Sequence, residues 1–293
     1  MTAGAAKAAR SVFTVPTALG EIAVHLREHP VAEQGAVLLL HANPGDSRDF
    51  DAVVEDLVRE WTVVTLDWPG YGGSTVTEPD RVTADGLVEV AEDVLDVLAE
   101  RGIVRLSVLG NSVGGYVAAR LAQRRPAVIT GVVLVDPGGF TPHNPLTRFF
   151  CRHVMGRPRL ARALVTPLMR ANLGRLRTPS ARASYARARA IRRDRRRLAV
   201  HCAIWRSFSD PRFDLTDSAL SAPALLVWGR RDPVLPAAID GRRARRALPD
   251  AQSVLLATSH EPFNERPHDF LEHVLPFLRQ HTMNTAGVDD EVG

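Results

Sequence analysis

Lysine is nearly missing from this 293-residue chain: one, Lys7, stands among 37 basic residues. Cysteine is scarce too. Cys151 and Cys202 have no metal-ligand spacing and cannot form a disulfide framework. No apolar run approaches the ~18 residues of a membrane span. The opening MTAGAAKAAR holds no apolar run of signal-peptide length. A cytoplasmic protein without a transmembrane segment is the expectation. The phosphate-loop pattern GxxxxGKS/T, the zinc pattern HExxH and the CxxC pair are all absent. Neither a cofactor nor a bound metal is therefore expected.

What is present begins with charge. The net +4 hides a segregation, because Arg148 to Arg212 carries eighteen arginines against two acids, Asp194 and Asp210. The rest of the chain is net acidic. Arginine and alanine in such excess over lysine suggest a GC-rich coding sequence, which weakens any reading of a single arginine. Charge runs are usually solvated faces. No nucleic-acid motif accompanies this one, so no nucleic-acid partner is expected.

The hydrophobic pattern is that of an α/β protein. Residues 11–27 alternate apolar and polar about a Leu19-Gly20 break, as a hairpin does. AVLLLHA (36–42), WTVVTLD (61–67), VRLSVLG (104–110), ITGVVLVD (129–136), APALLVWG (222–229) and AQSVLLA (251–257) read as strands buried on both faces. Helical spacing follows Ser47, a candidate N-cap, and recurs over 83–102, where Gly102 can end the helix. RPHDFLEHVLPFLRQ (266–280) reads as a closing helix that Pro276 can kink. Alternating strands and helices imply a mostly parallel eight-stranded sheet with helices on both faces. The rhythm breaks over 138–217, which reads as a helical insertion. Residues 1–137 and 218–281 then form the core, and 282–293 a frayed tail.

Three residue types carry candidate chemistry. Gly110-Asn111-Ser112-Val113-Gly114 fits G-x-S-x-G between a buried strand and a helix. Side chains at ±2 from the serine would clash with the crossing strand and helix, and the sharp turn lifts its hydroxyl above the sheet edge. A serine there also serves simply as a small residue in a tight turn. A nucleophile, however, needs a base and an orienting acid. Asp232 follows the strand ALLVWG and His260 follows SVLLA, so Ser112, Asp232 and His260 all stand at carboxyl ends of parallel strands, where ligands bind. Alone, Asp232 reads as a turn residue before proline and His260 as a loop histidine. Jointly they fit the chain order Ser…Asp…His. Asp136, in LVDPGG, also ends a strand and is the rival acid.

The segments HANPGDSRDF, LDWPGYGGS, GNSVGG, WGRRDPVLP and SHEPFNERPHDFLEHVLPFL, spread from about residue 11 to 281, resemble the α/β-hydrolase fold, in its large group of cap-bearing serine hydrolases. The resemblance implies Ser112 as nucleophile, His260 as base and Asp232 as orienting acid. It places an oxyanion loop at His41–Gly45, with backbone N–H groups from Val113 and from Asn43, or from Ala42 where the family usually has glycine. Asn43 before Pro44 is similar to haloalkane dehalogenases. Those enzymes, like epoxide hydrolases of this fold, use an aspartate nucleophile, which Ser112 argues against. Asn111 occurs in the family's carbon–carbon hydrolases and in plain esterases alike.

In this fold the insertion forms a cap over the nucleophile. Along 185–205, Ile191, Leu198, Cys202 and Trp205 fall near one helical face, with Arg192, Arg193, Arg196 and Arg197 elsewhere. That apolar face would line an acyl pocket or pack on the core. The arginines could attract a small anionic acyl substrate, a carrier-bound one, or an acidic membrane surface. A serine hydrolase acting on a carboxylic ester or thioester through an acyl-enzyme is the expectation. The alternatives are carbon–carbon cleavage, perhydrolysis or acyl transfer on the same triad, or a ligand receptor of this fold.

Overall fold

Strand-length apolar runs become a single eight-stranded sheet in the order β1-β2-β4-β3-β5-β6-β7-β8. Its strands are β1 (Ala9–Thr17), β2 (Gly20–Glu28), β3 (Ala36–Leu40), β4 (Thr62–Leu66), β5 (Leu106–Asn111), β6 (Ile129–Val135), β7 (Ala224–Gly229) and β8 (Gln252–Leu256). This computed structural model describes residues 9–30, 35–217 and 219–282. Only β2 runs against its neighbours β1 and β4; the other pairings are parallel.

The period of two divides each central strand between two cores. In β3, Val37 and Leu39 face Phe50, Val53 and Phe270, whereas Leu38 and Leu40 face Leu87, Val117 and Leu121. Helices α1 (Asp51–Leu57), α9 (Pro262–Glu265) and α10 (Pro267–His281) cover the first face. Helices α2 (Ala84–Glu100), α3 (Val113–Arg124) and α8 (Arg242–Ala247) cover the second. Gly102, at φ +85°, ends the α2 region as its sequence position suggests. α10 runs unbroken through Pro276.

Four local expectations need correction. The N-cap near residue 47 is Asp46, whose side chain accepts from Arg48 N–H while Asp49 reaches back to the Asp46 N–H. Ser47 instead begins a 3₁₀ turn, because two acids three residues apart satisfy both orphan donors better than one serine. β8 is not buried on both faces: it pairs only with β7, and Gln252, Ser253 and Leu255 are exposed. The apolar face along 185–205 belongs to two helices, since Asp194 caps a new one by accepting from Arg196 and Arg197. Finally, the tail does not fray at Thr282, which is buried and donates to Ser107 Oγ at 2.9 Å. The remainder of that tail, 283–293, lies outside the described residues.

Between β6 and β7 the chain makes α4 (Pro145–Phe149), a π-helical turn (Phe150–Met155), α5 (Pro158–Asn172), α6 (Pro179–Ile191) and α7 (Arg195–Ser207). Polar clasps tie this segment to the sheet domain. Ser184 Oγ and Arg187 of α6 both donate to Asp49 Oδ1, at 2.8 and 2.5 Å, and Arg187 Nε lies 3.2 Å from Asp46 Oδ2. Both carboxylates are buried. Arg187→Ala strips Asp49 of its guanidinium and is expected to cost about 3 kcal/mol of unfolding free energy in denaturant titration. Arg187→Lys should recover less than half of that, since one ammonium cannot span both acids. Full stability in Arg187→Ala would show that the clasp contributes nothing.

Candidate active site

Ser112 sits at φ 57°, ψ −117°, a backbone conformation that L-residues avoid. Crowding around the turn enforces it. A Cβ on Gly110 would stand 2.1 Å from the Gly114 carbonyl oxygen, and one on Gly114 would stand 2.2 Å from that of Leu40. Those are the ±2 clashes expected from the sequence. The Ser112 N–H donates to the Val135 carbonyl at 3.1 Å, and its own carbonyl accepts from Tyr116 and Gly138. Ser112, Val113, Ala42 and Asn43 all line one cleft with about 1030 Å³ of empty space, open mouth included.

His260 lines the same cleft. Its Nδ1 lies 2.6 Å from Asp232 Oδ2, and the Asp232 Oδ1 accepts from the N–H groups of Val234 and Leu235. Burial alone would push the Asp232 carboxyl up. The His260 charge and hydrogen bond and the two backbone donors outweigh it, holding Asp232 low and ionised. Burial disfavours charge on His260 too, yet Asp232 raises its pKa overall. An ionised Asp232 can only accept, so Nδ1 carries the proton and Nε2 is left with its lone pair.

Asp136, the rival acid, does not reach His260 Nδ1 by a hydrogen bond. Its Oδ1 accepts from the Gly229 N–H at 2.9 Å, and its carboxyl lies within hydrogen-bonding reach of Asp232. Burial, and then the neighbouring Asp232, push its carboxyl well above the ordinary range, which favours its neutral form. Ligand atoms of Asp136, Asp232 and His260 lie within 4.8 Å of one another, the one grouping among the described residues close enough to hold a metal. Asp232 spends both of its oxygens within the protein, Oδ2 on His260 Nδ1 and Oδ1 on the Val234 and Leu235 N–H groups.

Contacts that the sequence does not announce also support the site. Asn111 Nδ2 donates to the carbonyls of Val135 and His260, tying the serine turn to the histidine loop. The His260 N–H in turn donates to the Asn172 carbonyl at the end of α5. His41 Nε2 accepts from the Trp68 N–H, so Nδ1 carries the proton and donates to the Ala42 carbonyl at 2.7 Å. Asn43 spends its amide on Tyr71 and His201, accepting from Tyr71 Oη at 2.8 Å. Glu261 also lines the cleft, its carboxyl pushed up to about 7 chiefly by burial and then by Asp49. An orphan acceptor (Asn172 Oδ1), an orphan donor (Trp205 Nε1) and the unpartnered His201 Nε2 belong to cleft residues as well. The other walls are mostly apolar, among them Val165, Leu168, Met169 and Phe213, with Thr141, His143, Thr147 and Asp214 adding polar groups. Of the α6–α7 positions read as one face, only Trp205 lines the cleft; Ile191, Leu198 and Cys202 pack in the core.

Known proteins share this fold. A protein of Mycobacterium tuberculosis, itself uncharacterised, is 26% identical over 272 residues, covering 83% of this chain and 75% of that one. The pimeloyl-[acyl-carrier protein] methyl ester esterase of Nitrosomonas europaea is 28% identical, covering 80% of this chain and 92% of its own. Among solved structures, a thermophilic esterase from Thermogutta terrifontis superposes with a TM-score of 0.74 at 25% identity, over 94% of this chain and 100% of the other. A hydrolase from Pseudomonas aeruginosa PA01 reaches 0.75 at 24%, over 92% and 98%. The family defined by the alpha/beta hydrolase fold matches residues 35–267, most of the sheet and the whole serine turn, and the chain belongs to it as an α/β-hydrolase enzyme.

Proposed function

We propose that the protein is a serine hydrolase that cleaves a carboxylic ester or thioester through an acyl-enzyme on Ser112. The observation that carries this reading is the buried Asp232–His260 hydrogen bond opening onto the same cleft as the strained Ser112. His260 Nε2 takes the Ser112 hydroxyl proton as Oγ attacks the acyl carbon, then hands it to the departing alcohol or thiol. Water activated by the same nitrogen releases the acid.

Two backbone donors meet the oxyanion in this reading. Val113 N–H, in the first turn of α3, has no intrahelical partner. The second is Asn43 N–H rather than Ala42 N–H. His41 holds the Ala42 carbonyl, and a trans peptide directs the Asn43 N–H the opposite way. The Asn43 side chain, spent on Tyr71 and His201, is not free for a halide as it would be in a dehalogenase. Asn111 is likewise spent behind the turn, so nothing here favours carbon–carbon cleavage. Residues 138–217 act as a cap whose apolar walls receive an acyl chain. The esterase name of the Nitrosomonas relative supports an ester substrate, a carrier-bound one included.

A fluorophosphonate probe tests the reading. One equivalent should bind the wild type, with the mass shift on the peptide holding Ser112, and none should bind Ser112→Ala. A folded wild type that takes no label, or takes it elsewhere, overturns the acyl-enzyme.

A further inference from the structure

Nine large apolar residues stand exposed among the described residues, and five of them fall between 146 and 164. They are Leu146 (77% exposed), Phe149 (57%), Phe150, Leu160 and Leu164. The same nineteen positions hold Arg148, Arg152, Arg157, Arg159 and Arg162, all exposed, and no acid. None of these five makes an ion pair among the described residues. Arg148 and Arg152 border a groove with Asp80, Asp85 and Asp210, but those acids are already paired with Arg206 or Arg212.

The apolar residues are not scattered. Leu160, Leu164 and Leu168 recur every four residues along α5, and Leu168 lines the cleft. Leu146 and Phe150 repeat that spacing through α4 and the π-helical turn, and Phe150 lines the cleft too. Side chains four apart share a helix face. Two apolar rails therefore lead from the surface into the site, flanked by guanidinium groups whose stems can lie along apolar surface while their heads stay wet.

We infer that α4 to α5 is a docking surface for an anionic lipid bilayer, with the cleft mouth set into the contact. Unpaired arginines meet the negative headgroups, and Leu146 and Phe149 enter the acyl boundary. An acidic protein partner would be held by the same arginines but must supply matching apolar pockets for Leu146 and Phe149, which a bilayer receives without any. The inference adds a surface to the proposed esterase reading, and its test does not depend on turnover.

The test is cosedimentation of the full chain with vesicles of phosphatidylcholine alone or mixed with phosphatidylglycerol. Binding is expected on the mixed vesicles only, falling by about tenfold or more from low salt to roughly 0.5 M NaCl as the charges are screened. Leu146→Ser/Phe149→Ser, which leaves every charge in place, should lose about tenfold or more of the binding. Arg157→Gln/Arg159→Gln/Arg162→Gln should lose as much, while Leu255→Ser, on the exposed edge strand, should bind as the wild type does. Phe149→Trp gives a second readout in a minimally changed chain: its fluorescence should be quenched by brominated lipid in mixed vesicles. No binding to mixed vesicles, or no quenching, overturns the inference. So does equal binding by the double serine variant, which would mark a purely electrostatic site for an acidic macromolecule.

Discussion

Ser112→Ala is expected to lower kcat for a p-nitrophenyl ester by at least about 10⁴-fold, more than 5 kcal/mol of transition-state stabilisation. KM should change little, because the proposed oxyanion donors and the cleft walls remain. Ser112→Gly should lose as much activity yet gain stability. At φ 57° and ψ −117° the serine backbone stores strain of about 1–3 kcal/mol, which glycine does not pay. Glycine's larger unfolded-state entropy returns up to about 1 kcal/mol of that gain. A thermal midpoint a few degrees above wild type for Ser112→Gly, with Ser112→Ala near wild type, would show strain held for the sake of the nucleophile's position. Substantial residual turnover in both variants would remove Ser112 from the chemistry.

The framework of that site is legible in the sequence because its signals are local. A strand buried on both faces announces itself as a continuous apolar run, and the residue after it must stand at a strand end. Ser112, Asp232 and His260 can be found that way without knowing any contact. Glycine at 110 and 114 is local too, since the clashes arise within one turn. The corrections come from elsewhere. Nothing near AQSVLLA says that no strand pairs with its far side, so an edge strand reads as a buried one. The clasp of Arg187 on Asp49 joins residues 138 positions apart, and Asn111 meets the His260 carbonyl across 149. The break at Asp194 had a local signal, an acid preceding a polar run, but the apolar spacing across it concealed the cap.

Asp136, the rival to Asp232 as acid, also stands at a strand end, and hydrogen bonding and burial separate the two. Asp232→Asn is expected to cut kcat by roughly 10³–10⁴-fold. An amide can present its NH₂ to His260 Nδ1, fixing the wrong tautomer and putting the proton on Nε2, where a base must be vacant. Losing the carboxylate that raises the His260 pKa should also move the acid limb of the pH–rate profile to lower pH. Asp136→Asn should behave oppositely. Burial and Asp232 already favour the neutral form of the wild-type acid, and asparagine keeps the oxygen that accepts from Gly229 N–H, so kcat should stay within about tenfold. Its effect belongs to stability. A carboxyl whose folded pKa is raised contributes stability that is complete below its unfolded value near 3.8 and is lost as pH rises through the folded value. The wild type should therefore weaken with rising pH relative to Asp136→Asn, and the difference in thermal midpoint should widen toward alkaline pH. If Asp136→Asn instead loses activity as Asp232→Asn does, with the same shift of the acid limb, the two carboxyls act on His260 as a pair. A proton then held between them would be part of what sets the base.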